Sequence, residues 1–295
     1  IRRPPRSTLS PSSAASDVYK RQLILGGFMM FGKEIRLSRI INPIDDRTVT
    51  IAMDHGLSDG VLEGIENIKK TINDVSEFSD AVLINAGILR HAFKILARAR
   101  LGIIMRIDIA YLPNTKNEDM INLLSSSVER AVKLGAHAVA INGFLGHNFA
   151  FESISNLAII AEACENWGMP LVAEMKFVGK SDLPPWSTKF VKNCARVAYE
   201  IGADLIKTYY TGDKESFKEV IDTVEIPIAI LGGPRKESLK EIFQMVEDAL
   251  DAGAVGVIFG RNVWHKRGAR IMAKALYKII HDNYTTEEVM KEMFR

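Results

Sequence analysis

Eight short runs rich in valine, isoleucine and alanine, each separated from the next by a helix-length segment, restrict the fold of this chain more than any other feature. They fall at residues 48–53, 81–85, 102–107, 138–142, 171–175, 204–208, 228–231 and 255–259. Short β-type runs alternating with helical patterns indicate repeated βα units and a parallel sheet. Helical patterns are expected at 118–134, 153–167, 188–201, 236–251 and 267–281. Several close on Gly-Ala, at Gly135-Ala136, Gly202-Ala203 and Gly253-Ala254, where glycine suits the left-handed cap that returns the chain to the next strand. Eight units in about 250 residues fit a single-domain (β/α)8 TIM barrel better than an open sheet. No Gly-x-Gly-x-x-Gly follows the first run, as a dinucleotide fold would require.

The flanks read differently. Residues 31–41 form an amphipathic stretch, with Ile35, Ile40 and Ile41 on one side, expected to cap a barrel end; residues 285–295 form a short closing helix. Residues 23–47 are thus an N-terminal extension with a capping helix, and 48–295 the barrel. Residues 1–22, rich in Arg, Ser and Pro, have the look of a transit peptide but resemble translated sequencing-adapter DNA more closely, so the native start is expected at Met29 or Met30. That segment holds five basic residues and one acidic. Without it, 33 basic and 35 acidic residues remain, and the net charge moves from +2 to −2. The apparent basicity is therefore no argument for nucleic acid.

A hydrophobic content of 47% is ample for a full core. No apolar run reaches the ~18 residues of a membrane span, and Cys164 and Cys194 stand apart, so a soluble cytoplasmic protein is expected, without disulfides or structural zinc.

In such barrels the chemistry sits at the carboxyl ends of the strands. The first run ends in Asp54-His55-Gly56, where an acid and an imidazole serve as proton-transfer or hydroxyl-binding groups or simply make an Asx-type turn. The second and third are followed by Arg90-His91 and Arg106-Ile107-Asp108, read mainly as structural charges. The fourth ends at Asn142, with His147 in the next loop. The fifth ends Glu174-Met175-Lys176-Phe177, and the sixth places Lys207 after Leu205 and Ile206. A second ammonium near an enclosed amine disfavours its protonation, which a nucleophilic lysine needs; alternatively, Lys176 pairs with Glu174 or Asp182. The seventh and eighth runs end in Gly232-Gly233-Pro234 and Gly260-Arg261-Asn262, placed and composed as a phosphate site.

From about Leu37 onward the chain resembles the archaeal-type class I fructose-bisphosphate aldolases, a superfamily that also holds deoxyribose-phosphate aldolase, 2-amino-3,7-dideoxy-D-threo-hept-6-ulosonate synthase and the thiolase of phosphorylated autoinducer-2. The matching pieces are Leu37-Ser38-Arg39-Ile40 with Asn42-Pro43, Met53-Asp54-His55-Gly56, Gly87-Ile88-Leu89-Arg90, Ile206-Lys207-Thr208-Tyr209-Tyr210-Thr211-Gly212-Asp213, Gly232-Gly233-Pro234 and Gly260-Arg261-Asn262. The resemblance implies Lys207 as the Schiff-base lysine, Asp54 as an acid/base or substrate-binding carboxylate, and Gly232, Gly233, Gly260 and Arg261, with His55, as the substrate and phosphate site. One position departs: where the fructose-bisphosphate aldolases and the heptulosonate synthase carry a proton-transferring tyrosine, this chain has Lys176. The autoinducer thiolase, similar also in Val178-Gly179-Lys180, lacks that tyrosine too.

The expected function is therefore carbon–carbon bond cleavage or formation in a small phosphorylated ketose, through an imine on Lys207 and without a metal or other cofactor, in a homo-oligomer that engages neither nucleic acid nor membrane. Two rival classes are a metal-dependent lyase or isomerase using Asp54, His55, Asp108 or His147, and a non-catalytic sugar-phosphate-binding barrel.

Overall fold

Successive side chains on a strand point to opposite faces, so each strand of a closed sheet carries one inward column and one outward column. In the computed structural model, which describes residues 31–114, 121–233, 238–264 and 268–294, that rule organises the whole molecule. The elements are α1 (31–37), β1 (Thr48–Ala52), α2 (Gly56–Asp59), α3 (Ile68–Val75), β2 (Ala81–Asn85), α4 (Ala86–Ala99), β3 (Gly102–Arg106), β4 (Asp108–Ile109), β5 (Leu123–Leu124), α5 (Val128–Lys133), β6 (Ala138–Leu145) and α6 (Ala150–Trp167), followed by β7 (Leu171–Phe177), α7 (Thr188–Ile201), β8 (Leu205–Thr208), α8 (Lys214–Ile221), β9 (Ile228–Leu231), α9 (Leu239–Ala252), β10 (Gly256–Phe259), α10 (Arg261–Trp264), α11 (Ala269–Ile280) and α12 (Thr286–Met293). Eight strands pair in parallel in the closed order β1-β10-β9-β8-β7-β6-β3-β2. This is the TIM barrel expected from the alternation of runs.

The inward columns begin with small or aliphatic residues. Ala52, Ala81, Leu83, Ile104, Ala138, Ala140, Val172, Leu205, Ala229 and Ile258 pack together inside the barrel, with Ile40 among them at the end where the strands start. The outward columns, among them Val49, Val82, Val139, Ala173, Ile206 and Val257, join the helices in a second and larger cluster. Ile40 is held there because the carbonyl of Arg39 approaches β3 so closely that a Cβ on Gly102 would lie 2.0 Å from it. Arg36 ties the same segment down by donating to the Gly168 carbonyl at 2.6 Å.

Three sequence expectations are corrected. Ile35 does not share the buried side with Ile40; it is 65% exposed. Over 118–134 the described residues are helical only in α5. Leu123–Leu124 instead pair antiparallel with Asp108–Ile109, because Asn122 is buried as a donor to Asp108 Oδ2 at 3.0 Å, and the Ser127 hydroxyl, accepting from the Arg130 N–H at 3.2 Å, starts the helix. Finally, β6 and β7 run longer than their apolar cores suggest and pair from Val139↔Leu171 to Leu145↔Phe177. Gly143 permits this, since a Cβ there would meet Met175 Sδ at 2.2 Å. The expectations for residues 1–22, Met29, Met30 and Pro234 lie outside the described residues.

Candidate active site

The upper half of the inward columns is polar. Counting in steps of two from the aliphatic floor gives Asp54 after Ala52, Asn85 after Leu83, Arg106 and Asp108 after Ile104, Asn142 and Phe144 after Ala140, Glu174 and Lys176 after Val172, Lys207 after Leu205 and Gly260 after Ile258. All of these line one cavity of about 260 Å³ at the carboxyl ends of the strands. Of the groups expected at the site, Lys207, Asp54, Lys176, His55, Gly232, Gly233, Gly260 and Arg261 line it together. Arg90, His91 and His147 do not. The two on α4 are exposed, and the His147 ring lies 4.3 Å from that of Phe149, tilted 49° to it, in the loop after β6.

Lys207 does not send its amine to bulk water: the residue is 6% exposed. Its Nζ lies 2.8 Å from Glu174 Oε2, a contact prepared by the register that sets Glu174 beside Lys207 on β7 and β8. Lys176 Nζ holds the other oxygen, Oε1, at 2.7 Å, and Arg106 donates to Oε2 through Nη2. The Arg106 Nε also donates to Asp54 Oδ2 at 2.8 Å. Glu174 is therefore the hub on which three cations converge, two of them lysines on separate oxygens.

The charges set one another. Burial would raise the Glu174 carboxyl, but Lys176, Lys207 and Arg106 outweigh it and hold it well below the usual carboxylate range. Burial lowers the Lys207 ammonium; Glu174 and Asp54 oppose this, and Arg106 and Lys176 reinforce it, so the amine is easier to deprotonate than an ordinary lysine. Asp54 stays ionised because Arg106, His55 and Lys207 override its burial. Burial pushes the His55 imidazolium down, Asp54 opposing and Lys207 and Arg261 adding to the effect. Its Nδ1 stands 3.5 Å from Asp54 Oδ1, and its ring lies edge-on to Trp264 at 5.3 Å.

The glycines at the far side keep the wall low. A Cβ on Gly260 would sit 2.5 Å from His55 Cε1, and one on Gly232 would sit 2.9 Å from Asn262 Nδ2. That Asn262 amide donates to the Gly232 carbonyl at 2.8 Å and ties the two loops into one surface. Gly233 has φ +62°, a left-handed conformation that glycine adopts without strain. Arg261 brings a guanidinium to the same wall. An anion with several oxygens fits this combination of open backbone and cation.

Sequence reasoning treated Glu174 only as a partner for Lys176, and Arg106 as a structural charge. It passed over Tyr111, whose hydroxyl donates to Asp59 Oδ1 at 2.9 Å and is pushed up to about 12 by burial and by that carboxylate. The overlooked signal was parity: Glu174 falls two residues after Val172 and interrupts the apolar run Leu-Val-Ala-Glu-Met. Asp108, a conceivable metal ligand in the sequence, is already committed. Its Oδ2 accepts from Asn122 Nδ2 at 3.0 Å, the Asn142 N–H at 3.0 Å and Asn142 Nδ2 at 2.9 Å. Among the described residues no three His, Cys, Asp or Glu side chains are grouped to hold a metal.

Comparison with known proteins gives concordant matches. The profile of one family, described as DeoC/LacD family aldolase, matches residues 48–266. The chain is 37% identical over 268 residues to 2-amino-3,7-dideoxy-D-threo-hept-6-ulosonate synthase 1 of Archaeoglobus fulgidus, covering 90% of this chain and 96% of that protein. It is 31% identical over 264 residues to the 3-hydroxy-5-phosphonooxypentane-2,4-dione thiolase of Klebsiella pneumoniae subsp. pneumoniae, covering 89% and 85%. Among solved structures it is similar to an archaeal fructose-1,6-bisphosphate aldolase whose catalytic lysine is covalently bound to the carbinolamine intermediate of its substrate. That match has a TM-score of 0.74 and 27% identity and covers 84% of this chain and 99% of the other.

Proposed function

Because the chain belongs to the DeoC/LacD family of aldolases, we propose that Lys207 is the amine through which it makes or breaks a carbon–carbon bond in a small phosphorylated ketose, as an aldehyde-lyase of the Schiff-base class. The observation that carries this reading is the buried Lys207 amine, 2.8 Å from an ionised carboxylate at the mouth of the barrel.

The chemistry follows from that geometry. The neutral amine adds to the substrate carbonyl, and loss of water leaves a protonated imine. That imine draws in the electron pair when the adjacent carbon–carbon bond breaks, forming an enamine, and returns the pair when a new bond forms. No metal is called for, because the imine is itself the electron sink. Glu174 stays ionised beside the cationic nitrogen. Asp54, held by Arg106, moves a proton to and from the substrate hydroxyl, with Lys176 or a water completing the transfer. The glycine loops and Arg261 anchor the phosphate and so orient the carbonyl.

The substrate frame is that of a fructose-bisphosphate aldolase. Lys176 favours a second reading. In place of a proton-transferring tyrosine it puts an ammonium 5.6 Å from the Phe144 ring and 23% exposed on its side chain, suited to a substrate with a further anionic group. The carboxylate of a seven-carbon 2-amino-6-oxo acid, the product named for the Archaeoglobus relative, is such a group, whereas the thiolase's phosphonooxy dione carries no anion besides its phosphate. The proposed setting is a cytoplasmic homo-oligomer; no helix among the described residues is long and apolar enough to cross a membrane.

The test is Lys207→Met assayed beside the native protein on fructose bisphosphate, the heptulosonate precursors and the dione phosphate. Turnover on the accepted substrate falls at least ~1000-fold while calorimetry finds phosphate-ligand affinity within a few-fold, because the amine acts in chemistry and the loops in binding. Turnover that survives the substitution, or that a chelator abolishes, overturns the reading.

A further inference from the structure

Arg106 serves three carboxylates with one planar guanidinium. Its Nε donates to Asp54 Oδ2 at 2.8 Å, its Nη2 to Glu174 Oε2 and its Nη1 to Asp108 Oδ1 at 3.4 Å. Because the fork is rigid, the three anchors together set its plane. Two of them, Asp54 and Glu174, stand at the reacting centre. Asp108 is the third, and it is 2% exposed.

The Asp108 anion has its own support. Its Oδ2 accepts from the Asn142 N–H, the Asn142 amide and Asn122 Nδ2. Burial pushes this carboxyl above its ordinary value while Arg106 and Asn142 oppose the rise, so the charge depends on the donors it receives. Asn122 is wholly buried and stands behind the cavity wall, not in it. Its amide faces one way only. Nδ2 meets two acceptors, Asp108 Oδ2 and the Asn142 carbonyl at 3.3 Å, while Oδ1 accepts from Asn156 Nδ2 at 3.0 Å. Asn156, on α6, also donates to the Asn122 carbonyl at 2.8 Å. A continuous line of contacts thus runs from α6 through Asn122, Asp108 and Arg106 to Glu174.

We propose that Asn122 is a positioning residue for the imine chemistry, holding Asp108 as the anion that keeps the Arg106 fork from swinging onto Glu174. The inference rests on the reading of Lys207 as the imine-forming amine. Arg106 Nη2 and Lys207 Nζ share one oxygen, Glu174 Oε2. Without the Asp108 charge, Arg106 keeps only Asp54 and Glu174 as anchors and takes a larger part of that oxygen. Lys207 then loses its alignment and some of the attraction that favours its ammonium. The charged and titratable groups around this line are Arg106 on β3, Asp54 and His55 after β1, Glu174 and Lys176 on β7 and Lys207 on β8. From α6 come the Asn156 amide and the Ser153 hydroxyl.

The test compares the native protein with Asn122→Leu and Asn122→Asp, each checked by circular dichroism and thermal melting. Leucine fills the space and donates nothing. Its kcat is expected to fall at least ~10-fold with KM for the phosphorylated substrate within ~3-fold of native, since the phosphate loops are untouched. The pH at which borohydride with substrate inactivates it moves down by at least ~0.5 unit, as Lys207 loses its hold on Glu174. In Asn122→Asp the introduced carboxyl, buried beside Asp108, keeps its proton in acid and donates as the amide does. Its kcat relative to native is therefore expected within ~3-fold at about pH 6 and at least ~10-fold lower by about pH 9. A merely structural asparagine would lower the melting temperature of both variants and move neither pH profile; that result overturns the proposal, as does native kcat in Asn122→Leu. If the native protein itself yields no borohydride adduct, the reading of Lys207 fails and this inference with it. If the native protein is trapped and the variants match it, the role of Asn122 alone fails.

Discussion

At Lys207 two opposing effects meet: burial drives the ammonium toward the neutral amine, and Glu174 with Asp54 pulls it back. Each unit of pKa corresponds to about 1.4 kcal/mol between the two forms, so the hub carboxylate decides how much free amine the site holds near neutral pH. Glu174→Gln removes the largest influence that raises the Lys207 pKa. The pH at which imine formation switches on, measured as the pH dependence of borohydride inactivation with substrate, therefore moves to lower pH, even though the variant turns over more slowly for want of a properly aimed amine. A shift to higher pH would show that Glu174 acts chiefly as the base. Lys207 was legible in the sequence because a lysine at the end of an apolar run stands out. Glu174 was not, because its partners lie at Arg106, Lys176 and Lys207 on three strands, and only the closed sheet brings them onto one carboxylate.

Elements are joined by side chains that the pattern of runs does not reveal. His281, just past α11, places Nδ1 2.6 Å from Asp45 Oδ2 and Nε2 3.0 Å from Asp80 Oδ2. Asp80 also accepts from the Val49 N–H at 2.6 Å, so the last barrel helix is clamped to the starts of β1 and β2. With a carboxylate on each nitrogen and the Tyr277 ring at 4.6 Å, the imidazolium is the form that satisfies both partners. Burial lowers its pKa, but Asp80 and Asp45 more than compensate and raise it above the ordinary value. Its stabilisation is thus present in full below the unfolded-state pKa of about 6.5 and lost as pH rises through the folded-state value. His281→Gln is expected to cost about 1–3 kcal/mol in urea unfolding at pH 5.5 and markedly less at pH 9; an equal cost at both would refute the charged clamp. The hairpin of β4 and β5 was equally hidden. Residues 118–134 read as helix, and Asn122, buried against Asp108 and the Asn142 carbonyl, reveals why Leu123–Leu124 pair with Asp108–Ile109 instead.

For the whole molecule, period-2 alternation does most of the work. Inward columns that are aliphatic at the strand starts and polar at the ends make one face of the barrel a packed floor and the other a polar cavity; the barrel itself was legible from the alternation of short apolar runs with helix-length segments. Loop composition alone placed Gly232, Gly233, Gly260 and Arg261 together; what it could not show was Asn262 bridging the two loops. The central claim is that the chamber is built around one reactive amine. Sodium borohydride added during turnover, followed by peptide mass spectrometry, tests it most directly: the account predicts a reduced substrate adduct on the peptide containing Lys207 and no other. An adduct on Lys176, or complete inactivity toward borohydride with a substrate that is turned over, would contradict it.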